Sequence, residues 1–172
     1  MFSQKGLDKG SQKLASVFST KLFGEVADLG AGWGYLSKEA LRLNEKITRI
    51  TLFESNYSAY LASKKNIDDE RATFRWASLE NIRYIKQRFD HVICNPPFHS
   101  GRSKDLSLLK SFIFHGSMLI NAQGCVWMVF VSGVYLENQL HDYFENIKIL
   151  YKDKHYFVCQ LLKPKTKGYK HV

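Results

Sequence analysis

Two consecutive prolines, Pro96 and Pro97, constrain this chain more than any other pair of residues. They fix two φ angles and remove two backbone donors, so neither a helix nor a central strand continues through them. The run before them, His91-Val92-Ile93-Cys94, is short, apolar and bounded by turn signals, as a buried strand is. Asn95, just ahead of a proline, is pushed toward an extended conformation. A buried strand must therefore end in a stiff loop whose carbonyls have few local partners. An amide, Asn95, precedes those carbonyls and a ring, Phe98, follows them. Asn95 and the Pro96 carbonyl offer acceptors and Phe98 a stacking face, which suits a planar ligand bearing an amine. An ordinary strand-ending turn carries the same Pro-Pro signature, so the choice rests on the rest of the chain.

That remainder alternates between strand-like and helix-like segments. Phe2 to Gly10 reads as loop, and Ser11 is expected to cap a helix with Leu14, Val17 and Phe18 on one face. Gly24 punctuates, and Glu25-Val26-Ala27-Asp28-Leu29 reads as a short strand. A glycine-rich stretch follows, then a helix through Leu36, Ala40, Leu41 and Leu43. Arg49 to Phe53 is rich in β-formers and ends at Glu54. Tyr57 to Ile67 has helical spacing, Thr73 to Trp76 is a short strand, and Leu79 to Gln87 a weak helix or loop. Beyond the proline loop, Leu106 to Ile120 carries a broad apolar stripe, and Gly124 is expected to end the connection after it. Cys125 to Val131 reads as a strand buried on both faces. Tyr135 to Phe144 is a helix, and Ile147 to Tyr151 pairs with Tyr156 to Leu162 across the polar Lys152-Asp153-Lys154, a hairpin signal. The alternation gives an α/β fold with a mostly parallel sheet and a terminal antiparallel hairpin. Ligands in such folds sit at the C-terminal ends of the strands, near a topological switch point.

The 172 residues suit one domain, with an N-terminal segment and helix over 1–24 and a basic tail over 163–172. No apolar run is long enough to span a bilayer and no signal-peptide pattern opens the sequence. Cys94, Cys125 and Cys159 each sit inside an apolar run, and no Cys/His cluster has metal-ligand spacing. The expectation is a cytoplasmic protein with buried thiols, no metal and no membrane partner. The formal net charge of +9 favours a polyanionic partner.

Asp28-Leu29-Gly30-Ala31-Gly32-Trp33-Gly34 lies between a predicted strand and a predicted helix, where glycines let the backbone approach a ligand. The spacing is Gly-x-Gly-x-Gly, not the Gly-x-Gly-x-x-Gly of dinucleotide enzymes. Asp28 at the strand's end is badly placed to face pyrophosphate and suits a cationic ligand better. Glu54 ends the second strand, where a carboxylate accepts both hydroxyls of a ribose. Glycine loop, acidic strand end and Asn-Pro-Pro-Phe together make a solvated strand end an improbable reading of Glu54.

On these residues the sequence resembles the class I S-adenosylmethionine-dependent methyltransferases of the small-domain group, and within them the bacterial ribosomal RNA guanine-N2 methyltransferases. Phe2-Ser3 and Leu7-Asp8-x-Gly10-Ser11 resemble the segment upstream of the cofactor motif, and Asp28-x-Gly30-x-Gly32-x-Gly34 resembles the cofactor loop. Ala77-Ser78 falls where that family contacts adenine. Asn95-Pro96-Pro97-Phe98-His99-x-Gly101 resembles the base-methylating motif, whose His-x-Gly extension narrows it to the ribosomal RNA group. The resemblance implies a Rossmann-like, mostly parallel seven-stranded sheet with helices on both faces. It implies S-adenosyl-L-methionine as cofactor, bound by Asp28, Gly30, Gly32, Glu54, Ser78 and Asn95. It implies ribosomal RNA or a ribosomal subunit as partner. Members usually carry a second, degenerate domain upstream, which this sequence lacks. The expectation is either a fragment of a two-domain enzyme or a domain that works without one.

Methyl transfer from a sulfonium is an in-line displacement, so positioning dominates. Catalysis is assigned to Asn95, Pro96 and Phe98: two acceptors for the amine hydrogens and a ring that stacks on the base. Pro97, Phe98, His99 and Arg102 are the expected substrate contacts. His99 reads as bracing the loop or as taking the released proton. Arg102 and Lys104 read equally as phosphate contacts or as a solvated helix start. The alternative acceptors are an adenine amine in RNA or DNA and a protein glutamine amide. The alternative to an enzyme is a non-catalytic RNA-binding module, against which the intact motifs argue.

Overall fold

β1 (Gly24–Leu29) has parallel partners on both sides, and the rest of the sheet grows outward from it. The structure is a computed structural model that describes residues 8–97, 103–133 and 136–165. From β1 the chain runs through α2 (Tyr35–Leu43) to β2 (Ile47–Glu54), then through α3 (Tyr57–Asn66) to β3 (Ala72–Trp76) at the sheet edge. It returns through the single turn α4 (Leu79–Ile82) to β4 (Phe89–Cys94), which pairs with the other side of β1. α5 (Ser103–Leu119) leads to β5 (Ile120–Val131), and α6 (Glu137–Tyr143) to β6 (Phe144–Lys152) and β7 (Tyr156–Pro164). The seven strands lie in the order β3-β2-β1-β4-β5-β7-β6, with β7 antiparallel to both neighbours. The order reverses between β1 and β4, which makes their C-terminal ends the switch point.

The central strands are apolar without alternation because both faces are covered. Ala27 and Leu29 of β1 face a core with Val92 and Cys94 of β4 and Leu109, Phe112 and Ile113 of α5. Val26 faces the opposite core, with Ile93, Leu36 and Ala40 of α2, and Leu14 and Phe18 of α1 (Lys9–Phe18). Helices thus cover both faces of the mostly parallel sheet, as expected. Cys94, Cys125 and Cys159 are buried thiols. The hairpin turn is set by Asp153, whose Oδ1 accepts from the backbone N–H groups of His155 (2.8 Å) and Tyr156 (2.7 Å).

Several boundaries differ from the sequence reading. Ser11 does not cap α1. Asp8 does, accepting from Ser11 N at 2.7 Å, so the helix starts earlier and Ser11 is buried inside its first turn. α6 ends at Tyr143, one residue before the expected Phe144, because Phe144 already pairs with Pro164 in the sheet. Gly124 ends no connection: it lies inside β5, which begins at Ile120. Phe89 pairs with Ile120 and His91 with Cys125, so the β5 chain bulges between those pairs. A Cβ at Gly124 would lie 2.8 Å from the Asp90 carbonyl oxygen and 3.0 Å from that of Phe89. Glycine there marks close backbone approach.

Gly124→Ala is therefore expected to destabilise the fold by roughly 1–3 kcal/mol, the usual range for forcing atoms into a packed interior. Urea denaturation checks this, with Ala122→Gly on the exposed part of the same strand as the contrast. An unchanged midpoint for Gly124→Ala would show that the bulge moves aside freely.

Candidate active site

Register places the sequence-predicted residues side by side. Leu29 pairs with Phe53 on one side and Cys94 on the other, so Gly30, Glu54 and Asn95 leave the sheet at one level. Glu54 in turn pairs with Trp76, which brings Ala77 and Ser78 to the same rim. With strands ~4.8 Å apart, Asn95 and Glu54 stand about 10 Å apart across the end of β1. Cys94 reinforces this alignment through an Sγ–H to Leu29 carbonyl contact of 3.2 Å.

The glycine loop is folded back onto β2. Gly30 N and Ala31 N both donate to the Phe53 carbonyl, at 2.9 and 3.1 Å. Gly34 then starts α2 from a left-handed conformation with φ 90°, and a Cβ on it would sit 2.8 Å from Ile67 Cδ1. Backbone angle and space both demand glycine there. Gly30 is tight as well, with room on its Cα side closed by the Phe112 ring at 3.1 Å.

Glu54 is 5% exposed and straps this loop in place. Its Oε2 accepts from Gly32 N at 2.8 Å and its Oε1 from Asn56 N at 2.7 Å. Each carboxylate oxygen has a second acceptor position. Asn56 caps α3 through Ala59 N at 3.0 Å, and Ala77 N donates to the Glu54 carbonyl at 3.0 Å. Ser78 starts α4, with its carbonyl accepting from Asn81 N and Ile82 N. Its hydroxyl meets Glu80 and holds that carboxyl below its usual range. Beside it, Trp76 donates its Nε1–H to the Ser55 carbonyl at 2.9 Å, and its ring centroid lies 4.9 Å from that of Tyr57. Trp76 and Tyr57 are 62% and 53% exposed, an aromatic rim that sequence reading did not single out.

Asp28 lies beneath the loop, closed off from solvent. Its Oδ2 accepts from Ser37 Oγ of α2 at 2.7 Å, and its Oδ1 has no hydrogen-bond partner. Burial pushes this carboxyl up to about 7, the Ser37 hydrogen bond opposes the shift, and the Glu54 charge adds to it. An ionised Asp28 is therefore costly unless a cation or donor compensates it.

Asn95 is half-buried, Pro96 buried and Pro97 exposed. The Asn95 amide nitrogen donates to Asp8 Oδ2 at 2.5 Å and to Ser11 Oγ at 2.9 Å. Among the described residues no donor reaches Asn95 Oδ1. Phe98, His99 and Arg102 lie outside the described residues, and Lys104 falls in the first turn of α5. Asp8, Ser11 and Ser37 were not assigned site roles from sequence. The only signal for the first two was the Leu7-Asp8-x-Gly10-Ser11 segment, which carries no local mark of a partner at Asn95.

These residues fit S-adenosylmethionine. Glu54 offers open acceptor positions to vicinal hydroxyls beside the glycine loop that it holds, and Asp28 holds an uncompensated buried oxygen near the same loop. Among the described residues no group of three or more His, Cys, Asp or Glu side chains could hold a metal ion. No helix among them is long and apolar enough to cross a membrane.

Comparison with known proteins gives the same picture. Two relatives from Buchnera aphidicola are named ribosomal RNA small subunit methyltransferase C. The one from subspecies Schizaphis graminum is 29% identical over 160 residues, covering 93% of this chain and 47% of the relative. The one from subspecies Cinara cedri is 32% identical over 161 residues, covering 94% and 47%. The chain thus spans about half the length of these relatives. A solved T. thermophilus 16S rRNA N2 methyltransferase, in complex with AdoMet and guanosine, superposes with a TM-score of 0.80 at 23% identity. That match covers 94% of this chain and 45% of the other, and at this identity it shows the shared fold. The family pattern described as methyltransferase small domain matches residues 1–160, and the chain belongs to that family.

Proposed function

We propose that this chain is an S-adenosylmethionine-dependent methyltransferase that methylates the exocyclic N2 amine of a guanine in ribosomal RNA. The observation that carries the reading is the Asn95 amide. Its nitrogen is occupied by Asp8 and Ser11, so its oxygen is the end left to accept, about 10 Å along the strand ends from Glu54. The names of the relatives, and the guanosine bound by the T. thermophilus enzyme, support guanine in ribosomal RNA as the acceptor. The formal charge of +9 supports a polyanionic substrate. The reading takes residues 1–172 as one methyltransferase domain acting in the cytoplasm on ribosomal RNA or a ribosomal subunit.

When bound, the cofactor supplies a methyl group activated on a sulfonium. Glu54 grips the ribose hydroxyls, Gly30 and Gly32 let the backbone lie against the cofactor, and Ser78 meets the adenine end. Asp28 contributes from beneath, through its charge and its hold on α2. Asn95 Oδ1 and the Pro96 carbonyl accept the two hydrogens of the substrate amine. That pairing turns the nitrogen lone pair toward the methyl and stabilises the positive charge that grows on nitrogen. The transfer would exchange an S–CH3 bond for an N–CH3 bond, and the excess proton would leave the product nitrogen afterwards. Phe98 stacks on the base, Pro97 and His99 shape the loop around it, and Arg102 meets a phosphate. A guanine paired in an A-form helix hides its amine from this loop, so the base must be unpaired or flipped.

Glu54→Ala is expected to weaken S-adenosylmethionine binding at least about tenfold, since hydrogen bonds to charged groups contribute ~1.5–3 kcal/mol each. Calorimetric titration measures this, and an unchanged Kd would remove Glu54 from the ribose site. Asn95→Ala is expected to lower turnover roughly 100-fold, comparable to losing one oxyanion-hole donor, while cofactor affinity stays close to the parent value. Intact turnover on saturating RNA would make the proline loop merely structural. The acceptor is identified with labelled cofactor on ribosomal subunits, naked ribosomal RNA, DNA and release-factor protein. Label in N2-methylguanosine, falling with salt by about 0.7 in logarithmic slope per single-strand phosphate contact, is the expected result. Label in N6-methyladenine or in protein would overturn the acceptor assignment.

A further inference from the structure

We infer that Asp8 and Ser11 are positioning residues that hold the Asn95 side chain in the one orientation that turns its carbonyl oxygen to the substrate amine. The inference rests on the methyltransferase reading and concerns a step that neither strand nor loop of that site supplies.

An asparagine amide is nearly symmetric in shape, with two donor hydrogens at one end and an acceptor oxygen at the other. Rotated by half a turn, Asn95 would present N–H groups to the N–H groups of its substrate, and the contact would repel. Something must select the orientation. A hydroxyl alone does not, because it donates or accepts equally well. A carboxylate does, because when ionised it only accepts. Asp8 Oδ2 lies 2.5 Å from Asn95 Nδ2, and Ser11 Oγ 2.9 Å from the same atom. The two contacts use both amide hydrogens.

The carboxylate is itself held still. Ser11 N donates to the same Oδ2 at 2.7 Å, which makes Asp8 the N-cap of α1. Gly10, inside that turn, has no side chain to push it away, and a Cβ there would already meet Oδ2 at 3.2 Å. α1 is anchored by Leu14 and Phe18, both fully buried against the sheet. The orientation of Asn95 is thus set by a fixed helix start, 87 positions away in sequence.

Asp8→Ser separates this role from capping. Serine is an equally good N-cap, so α1 keeps its acceptor for Ser11 N, but the shorter side chain no longer reaches Asn95. The first readout is hydrogen exchange of the Asn95 side-chain amide by NMR, its signals assigned by their loss in Asn95→Ala. Slow exchange in the parent chain and fast exchange in Asp8→Ser is expected. The second is methyl transfer to ribosomal subunits by the parent, Asp8→Ser, Asn95→Ala and the double variant. Asp8→Ser should lower kcat roughly tenfold or more, as expected for a misplaced reacting group, with KM for RNA changed little. In the Asn95→Ala background it should change nothing further, because the residue it positions is gone. An equal loss of kcat in both backgrounds, or unchanged amide exchange in Asp8→Ser, would overturn the inference. Should the parent chain methylate no ribosomal substrate, the functional reading fails, and the exchange measurement still decides whether Asp8 holds the amide.

Discussion

The parallel pairing of β1 with both β2 and β4 is the constraint on which the rest depends. Because Leu29 is level with Phe53 and with Cys94, three chain segments leave the sheet side by side. Each carries a different chemical element: a loop free of side chains at Gly30 and Gly32, a carboxylate at Glu54, and an amide at Asn95. A slip of one residue in either ladder would turn Glu54 or Asn95 to the wrong face, since side chains alternate along a strand. The buried faces prevent that slip. Val26, Ile50 and Ile93 on one side, and Ala27, Phe53 and Val92 on the other, would all have to exchange environments. The hydrophobic pattern that makes the strands therefore also sets the spacing of the site.

That is why so much of the molecule was legible in the sequence. β1, β4 and β5 are short apolar runs because helices cover both of their faces, and the hairpin of β6 and β7 announces itself through Asp153. Glu54 and Asn95 were legible because they interrupt apolar runs at strand ends, where a polar side chain has no structural reason to be. What was not legible depends on contacts distant in sequence. Gly124 reads as a terminator locally, yet the backbone of Phe89 and Asp90 pressing against it explains its presence. Ser11 has the composition of a cap, yet Asp8 three residues earlier takes that place. The link from Asp8 to Asn95 has no local signature at all.

Asp28 shows how burial alters a motif residue. Near the end of β1 it reads as an acid suited to a cationic ligand, and the structure leaves it no accessible surface. Desolvation raises its carboxyl to about 7, and only one of its oxygens is satisfied, by Ser37. Placing such a group under a glycine loop costs stability unless positive charge comes near. Glu54, by contrast, meets a backbone N–H group at each of its two oxygens. The two acids of this site differ in how their oxygens are satisfied: both in Glu54, one in Asp28.

On the proposed reading, the Asn95 oxygen and the Pro96 carbonyl measure one thing, a pair of hydrogens on a planar nitrogen. Guanine, adenine and a carboxamide all present such a pair. The acceptors are therefore blind to the ring or chain that carries the amine, and their value lies in geometry fixed before the substrate arrives. Selection of guanine falls to side chains that meet the edges of the ring and to the surface that draws the nucleic acid in. A base must leave its stack to reach a loop this close to the sheet, so the energy that discriminates among substrates is partly the energy of extrusion. The tightly held amide and the net positive charge of the chain then serve separate ends. The first sets the rate of transfer, and the second sets which amine is brought to it.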